Sequence, residues 1–115
     1  MDSRLLFGKI HIIEWLKPRN PKTGEAGERR TGTEIYRAAK QLIAETGSRT
    51  QLILHRVSSK ASFLARLERI EQDFRASGKV PVLQIETHGD LDGIGLSEND
   101  GLTWPELMQA LTPLI

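Results

Sequence analysis

Leu5-Leu6-Phe7-Gly8-Lys9-Ile10-His11-Ile12-Ile13-Glu14-Trp15-Leu16 is the stretch that decides the fold class. It is mostly apolar and β-branched near its centre, the pattern of a strand covered on both faces rather than one that alternates between core and water. A strand covered twice needs helices above and below it, which points to an α/β sheet with parallel strands. Working outward, Lys17 to Thr33 changes abruptly to Pro, Gly and charged residues with no apolar period. A loop of that length between a strand and a helix is functional or disordered in a compact domain. Thr31-Gly32-Thr33-Glu34 fits a capping box, and Ile35, Ala38, Ala39, Leu42 and Ile43 then recur at helical spacing up to Gly47, a helix stop.

The alternation continues with Gln51-Leu52-Ile53-Leu54-His55-Arg56-Val57 as a short second strand. Ser58 and Ser59 offer caps for a second helix, in which Phe63, Leu64, Leu67, Ile70 and Phe74 form one apolar stripe that Gly78 closes. Pro81-Val82-Leu83-Gln84-Ile85-Glu86-Thr87 is the third strand, left sharply through the glycine-rich segment Gly89 to Gly95. Ile94 and Leu96 suit a short hairpin arm, with Glu98-Asn99-Asp100-Gly101 as its turn. Thr103-Trp104-Pro105-Glu106 combines an N-cap, a first-turn proline and a glutamate at N3, so a helix is expected from about Trp104 toward Leu111, ended by Pro113. Right-handed crossovers then place strand one in the middle. The expectation is a three-layer α/β fold with a mostly parallel sheet in the order 2-1-3 and helices on both faces.

Composition narrows the function classes. With 16 basic and 15 acidic residues, the chain has no electrostatic case for general nucleic-acid binding. It has no cysteine, which removes disulfides, thiolate zinc sites and any thiol nucleophile of its own. No stretch approaches the roughly 20 apolar residues of a membrane helix, and Met1 to Leu6 carries no signal-peptide core. A cytoplasmic location with no membrane partner is expected. One domain over residues 1–115 is expected from the length, and the stop at Ile115 just after a helix reads as the N-terminal portion of a larger domain, or a module whose sheet a second chain completes.

The chemistry-bearing candidate is His88-Gly89. In a sheet of this order ligands bind outside the carboxyl ends of the strands, near the switch point between strands one and three, where both the Lys17–Thr33 loop and His88 fall. An imidazole at the lip of the sheet can act as a base near neutral pH, and a glycine amide can approach a substrate without a Cβ in the way. Glu86, His88, Asp90 and Asp92 offer metal-ligating atoms, but their spacing matches neither the zinc patterns nor the calcium loop, so no metal or other cofactor is expected. Neither phosphate-binding glycine pattern is present. His11 and His55 read as packed or hydrogen-bonded strand residues and Trp104 as a packing anchor.

Leu83-Gln84-Ile85-Glu86-Thr87-His88-Gly89, then Asp92-Gly93-Ile94-Gly95-Leu96, then Leu102-Thr103-Trp104-Pro105-Glu106-Leu107, is similar to the histidine half of the caspase-like cysteine peptidases, bacterial CHAT-type members above all. The resemblance is sharpest over residues 80–111. It implies that His88 is the catalytic histidine and the Gly89 amide an oxyanion donor, acting on a protein or peptide substrate. In that family a fourth strand delivers the cysteine, about 50 residues after the histidine; here 27 residues follow His88 and none is cysteine. The resemblance therefore implies an endopeptidase part that is inert alone and is completed by a cysteine-bearing segment. It also implies an arginine near the substrate pocket, for which Arg19, Arg29 and Arg30 in the loop are the candidates because guanidinium forks suit carboxylates. The alternative from the residues themselves is a non-catalytic α/β module docking on a partner protein through its open sheet edge.

Overall fold

The computed structural model describes residues 7–114, so Leu5 and Leu6 of the first expected strand, the Met1–Leu6 segment and Ile115 lie outside the described residues. The elements alternate as expected: β1 (Phe7–Trp15), α1 (Thr31–Thr46), β2 (Leu52–Arg56), α2 (Lys60–Ser77), β3 (Val80–Thr87), the short arm strands β4 (Gly93–Gly95) and β5 (Gly101–Thr103), and α3 (Trp104–Leu111), which runs into a 3-10 turn at Thr112–Leu114. The main sheet is parallel, with the strand order β2-β1-β3.

Which face each helix covers follows from the strand's alternation. Ile13 packs with Phe63, Leu67 and Ile70 of α2 and Leu107 of α3. Its neighbour Glu14 points the opposite way and is bonded to Thr33 in the first turn of α1. Thus α2 and α3 lie on one face and α1 on the other, a three-layer arrangement. Leu96 and Leu102 from the arm join the α2–α3 core, which ties β4 and β5 to the body. The α1 face is thinly covered: Leu42, Ile35 and Val82 all remain exposed there. In α2, Leu64 is the one member of the expected stripe that is exposed, at the stripe's margin.

Local signals account for most boundaries. Ser59 caps α2 and Thr103 caps α3, each in a reciprocal box with Ser62 and Glu106 respectively, and Pro105 sits in the first turn of α3. Gly47 and Gly78 end α1 and α2 in the left-handed conformation. The start of α1 is a correction. The Thr31–Glu34 box does not form; Arg30 is the N-cap and makes no side-chain cap bond. The reason is competition from the sheet: the Thr31 hydroxyl donates to Glu86 and the Thr33 amide and hydroxyl donate to Glu14. A strand-borne carboxylate therefore does the capping that the helix's own side chains were expected to do.

Pro81 lies in β3, which pairs among the described residues only with β1. Proline lacks the amide a ladder needs and is tolerated on such an edge strand.

Candidate active site

His88 follows β3 directly, at the carboxyl end of the sheet, and its side chain is 66% exposed. Two structures hold it there. The first is the arm: Gly89 bridges Ile94 in antiparallel fashion, with the Gly95 amide donating to the His88 carbonyl and the Asp90 amide to the Gly93 carbonyl. Those bonds belong to the residues flanking Gly89, so the Gly89 amide itself projects away from the arm. No acceptor for it is found among the described residues. The turn is tightened by the Asp90 carboxylate, which accepts from the Asp92 and Gly93 amides, and by the Trp104 indole, which donates to the Asp90 carbonyl at 3.0 Å. Gly93 is required where it stands, because a Cβ would run into the Leu102 carbonyl of the facing strand.

The second support is the loop after β1, which closes on itself as a strap with an exposed tip. Its base closes where the Glu28 amide donates to the Lys17 carbonyl (2.7 Å) while Glu28 Oε1 accepts from the Lys17 amide (3.0 Å). Its tip is an Asn20 turn, with the Lys22 and Thr23 amides on the Asn20 carboxamide oxygen. The closed base brings Glu28 Oε2 to 3.6 Å from His88 Nδ1.

The arginines of the loop separate. Arg29 is paired with Glu34 at 2.8 Å, and that bond raises its pKa further; Arg30 donates to the Leu16 carbonyl and lies 3.8 Å from Glu14. Both are exposed but already engaged by groups of the chain itself. Arg19 is exposed and has no ion pair among the described residues, so of the three it is the one with its fork available to a ligand. The four residues weighed as metal ligands do not converge: Glu86 is held by Thr31 and Gln84, and Asp90 by its own turn. Among the described residues no group of three or more histidines or carboxylates is placed to hold a metal ion.

A shallow hollow of about 250 Å³ adjoins His88, lined by Asp90, Asp92 and Gly93 to Gly95 on the arm and Gly101 to Thr103 opposite. A larger one of about 680 Å³ lies at the other end of the sheet, at the starts of all three strands. His11 lines it, and is stacked on and hydrogen-bonded to His55 at 2.9 Å. Burial lowers the pKa of both rings, that of His55 to about 4. Trp104 does more than anchor: it is 43% exposed and its ring lies against Gly89.

Two important residues were missed in the sequence reading. Glu14, 1% exposed, is the hub that joins β1 to α1 and attracts Arg30 and Arg56. A carboxylate inside an apolar run is itself a signal, since a buried charge persists only with partners. Glu28 has no such signal; it is one polar residue in a polar loop.

No helix among the described residues is long and apolar enough to cross a membrane. Comparison of the chain with protein-family models, with curated proteins and with solved structures finds no match.

Proposed function

We propose that this chain is the histidine-bearing part of a caspase-like cysteine endopeptidase site, completed by a thiol from outside these residues. The observation that carries the reading is the pairing of a solvent-reachable imidazole, His88, with an outward-facing Gly89 amide on one rigid turn at the carboxyl end of the sheet. In this mechanism His88 takes the proton of the incoming cysteine, the thiolate attacks a peptide carbonyl, and the Gly89 amide donates to the oxyanion that forms. The imidazolium then returns its proton to the leaving amine, and water hydrolyses the thioester with His88 again as base. In this reading Arg19, exposed and without an ion pair among the described residues, would hold an acidic substrate side chain. The edge of β3 that is unpaired among the described residues, adjacent to His88, supports the reading because a strand added there ends beside the imidazole.

The same edge also favours a second reading, a non-catalytic module that docks on a protein partner by strand addition. One experiment separates them. The gene's natural product, expressed to its own stop codon, is treated with a peptidyl acyloxymethyl ketone, which alkylates activated cysteines. The peptidase reading expects one labelled cysteine and loss of labelling in His88→Ala. A natural product without cysteine, or labelling that His88→Ala leaves intact, would falsify the peptidase reading and favour the docking module.

A further inference from the structure

We infer that Glu28 is the positioning residue for His88: its carboxylate holds the imidazole with the proton on Nδ1 and leaves Nε2 facing the reaction site. The inference rests on the peptidase reading for its purpose, and on geometry alone for its substance.

Glu28 is the most constrained carboxylate in the loop. Its amide bonds to the Lys17 carbonyl and its Oε1 accepts from the Lys17 amide, so the residue is held once through its backbone and once through its side chain, and Oε2 is left directed at His88 Nδ1, 3.6 Å away. That clamp needs the residue before it to be glycine. A Cβ at Gly27 would stand about 2.6 Å from the Lys17 carbonyl oxygen and the Arg19 nitrogen, and would force the two sides of the strap apart. The Asn20 turn closes the far end of the strap.

The neighbouring cations go elsewhere. Lys17 Nζ pairs with Glu25, Arg29 with Glu34, and Arg30 turns to the Leu16 carbonyl and Glu14. Among the described residues the ionisable partner of Glu28 is His88 alone. A carboxylate reserved for an imidazole sets which ring nitrogen carries the proton, because the partner of one nitrogen decides the state of the other. At 3.6 Å the two groups are in contact but beyond a formed hydrogen bond. Such contacts shorten once substrate excludes water and charge develops on the ring. When Nε2 takes the thiol proton, the imidazolium forms with a carboxylate already beside it.

The test is the protonation site of neutral His88, read by long-range 1H–15N correlation on the histidine-labelled 115-residue chain above pH 8, with the three rings assigned by single substitutions. The wild type should show mainly the Nδ1–H form. Glu28→Gln presents a carboxamide NH2 to Nδ1 and should move the ring to the Nε2–H form, while Glu25→Gln in the same loop should change nothing. A wild-type ring mainly in the Nε2–H form overturns the inference without any variant, and so does a spectrum that Glu28→Gln leaves unchanged. The thiol labelling described above is scored separately. A tautomer change in a product that does not label upholds the positioning and sinks the peptidase; labelling with no tautomer change does the reverse.

Discussion

Replacing Gly32 with alanine should destabilise the protein, against the ordinary helix rule. Gly32 is the second residue of α1, has no positive φ, and by propensity alone would gain up to about 1 kcal/mol from a methyl group. Its neighbour forbids this. A Cβ would stand 2.7 Å from Glu14 Oε2 and 3.1 Å from Glu14 Cβ, and that side chain is fully buried. Overpacking of this kind costs about 1–3 kcal/mol. Moving the carboxylate aside stretches its bonds from the Thr33 amide (2.8 Å) and hydroxyl (3.2 Å), and bonds to a charged group are worth about 1.5–3 kcal/mol each. Set against the propensity gain, the net loss is about 2 kcal/mol, a fall in melting temperature of roughly 8 °C for a domain of this size. Urea titration followed by circular dichroism measures it. The partner variant is Glu14→Ala, which on its own leaves the Thr33 amide without its acceptor and should cost about 1–3 kcal/mol. In that background Gly32→Ala should become neutral or stabilising. A Gly32→Ala chain more stable than wild type would refute the packed Glu14–α1 junction.

Further outcomes follow from the same contacts. His55 is pushed down to about 4, first by burial and then by His11 and Arg66, and His11 is lowered by burial and Lys9 with Asp73 opposing. The unfolded chain, with histidines near 6.5, then binds more protons between about pH 4 and 6.5, so stability should fall as pH falls through that window; His55→Gln should flatten the slope in thermal melts. Glu106 is lowered to about 2 by the Thr103 amide, then by Lys60 and the Thr103 hydroxyl, so its contribution is present above about 4.5 and disappears as pH falls through about 2. Glu106→Gln should therefore melt lower than wild type at pH 7 and together with it near pH 2. Trp104→Phe keeps the ring over Gly89 but removes the indole donor to Asp90; it should cost about 1 kcal/mol and speed hydrogen exchange at the Asp90 and Gly93 amides.

Elements whose determinants are local were legible in the residue order. The box at Thr103–Glu106, the glycine stops at 47 and 78 and the apolar centre of β1 each depend on side chains a few positions apart, and each stands where expected. The same kind of pattern misled at Thr31–Glu34, because the Thr31 hydroxyl is taken by Glu86, 55 positions away in sequence and adjacent in space, and the Glu34 carboxylate by Arg29. The loop over 17–33 read as polar and aperiodic, and its composition concealed an Asx turn and a two-point clamp.

The sequence by itself determined the α/β class, the 2-1-3 order and the place of His88-Gly89 at the end of β3, because strand alternation, caps and crossover handedness are short-range or chirality rules. Only the tertiary structure decided that Glu14 caps α1, that Arg29 and Arg30 are engaged by Glu34 and by Glu14 with the Leu16 carbonyl while Arg19 has no ion pair among the described residues, and that Glu28 meets His88. The physical reason is that a long-range polar contact costs loop-closure entropy and desolvation that no residue spacing records. It exists where the packed sheet has already brought two strand ends together, and nowhere else.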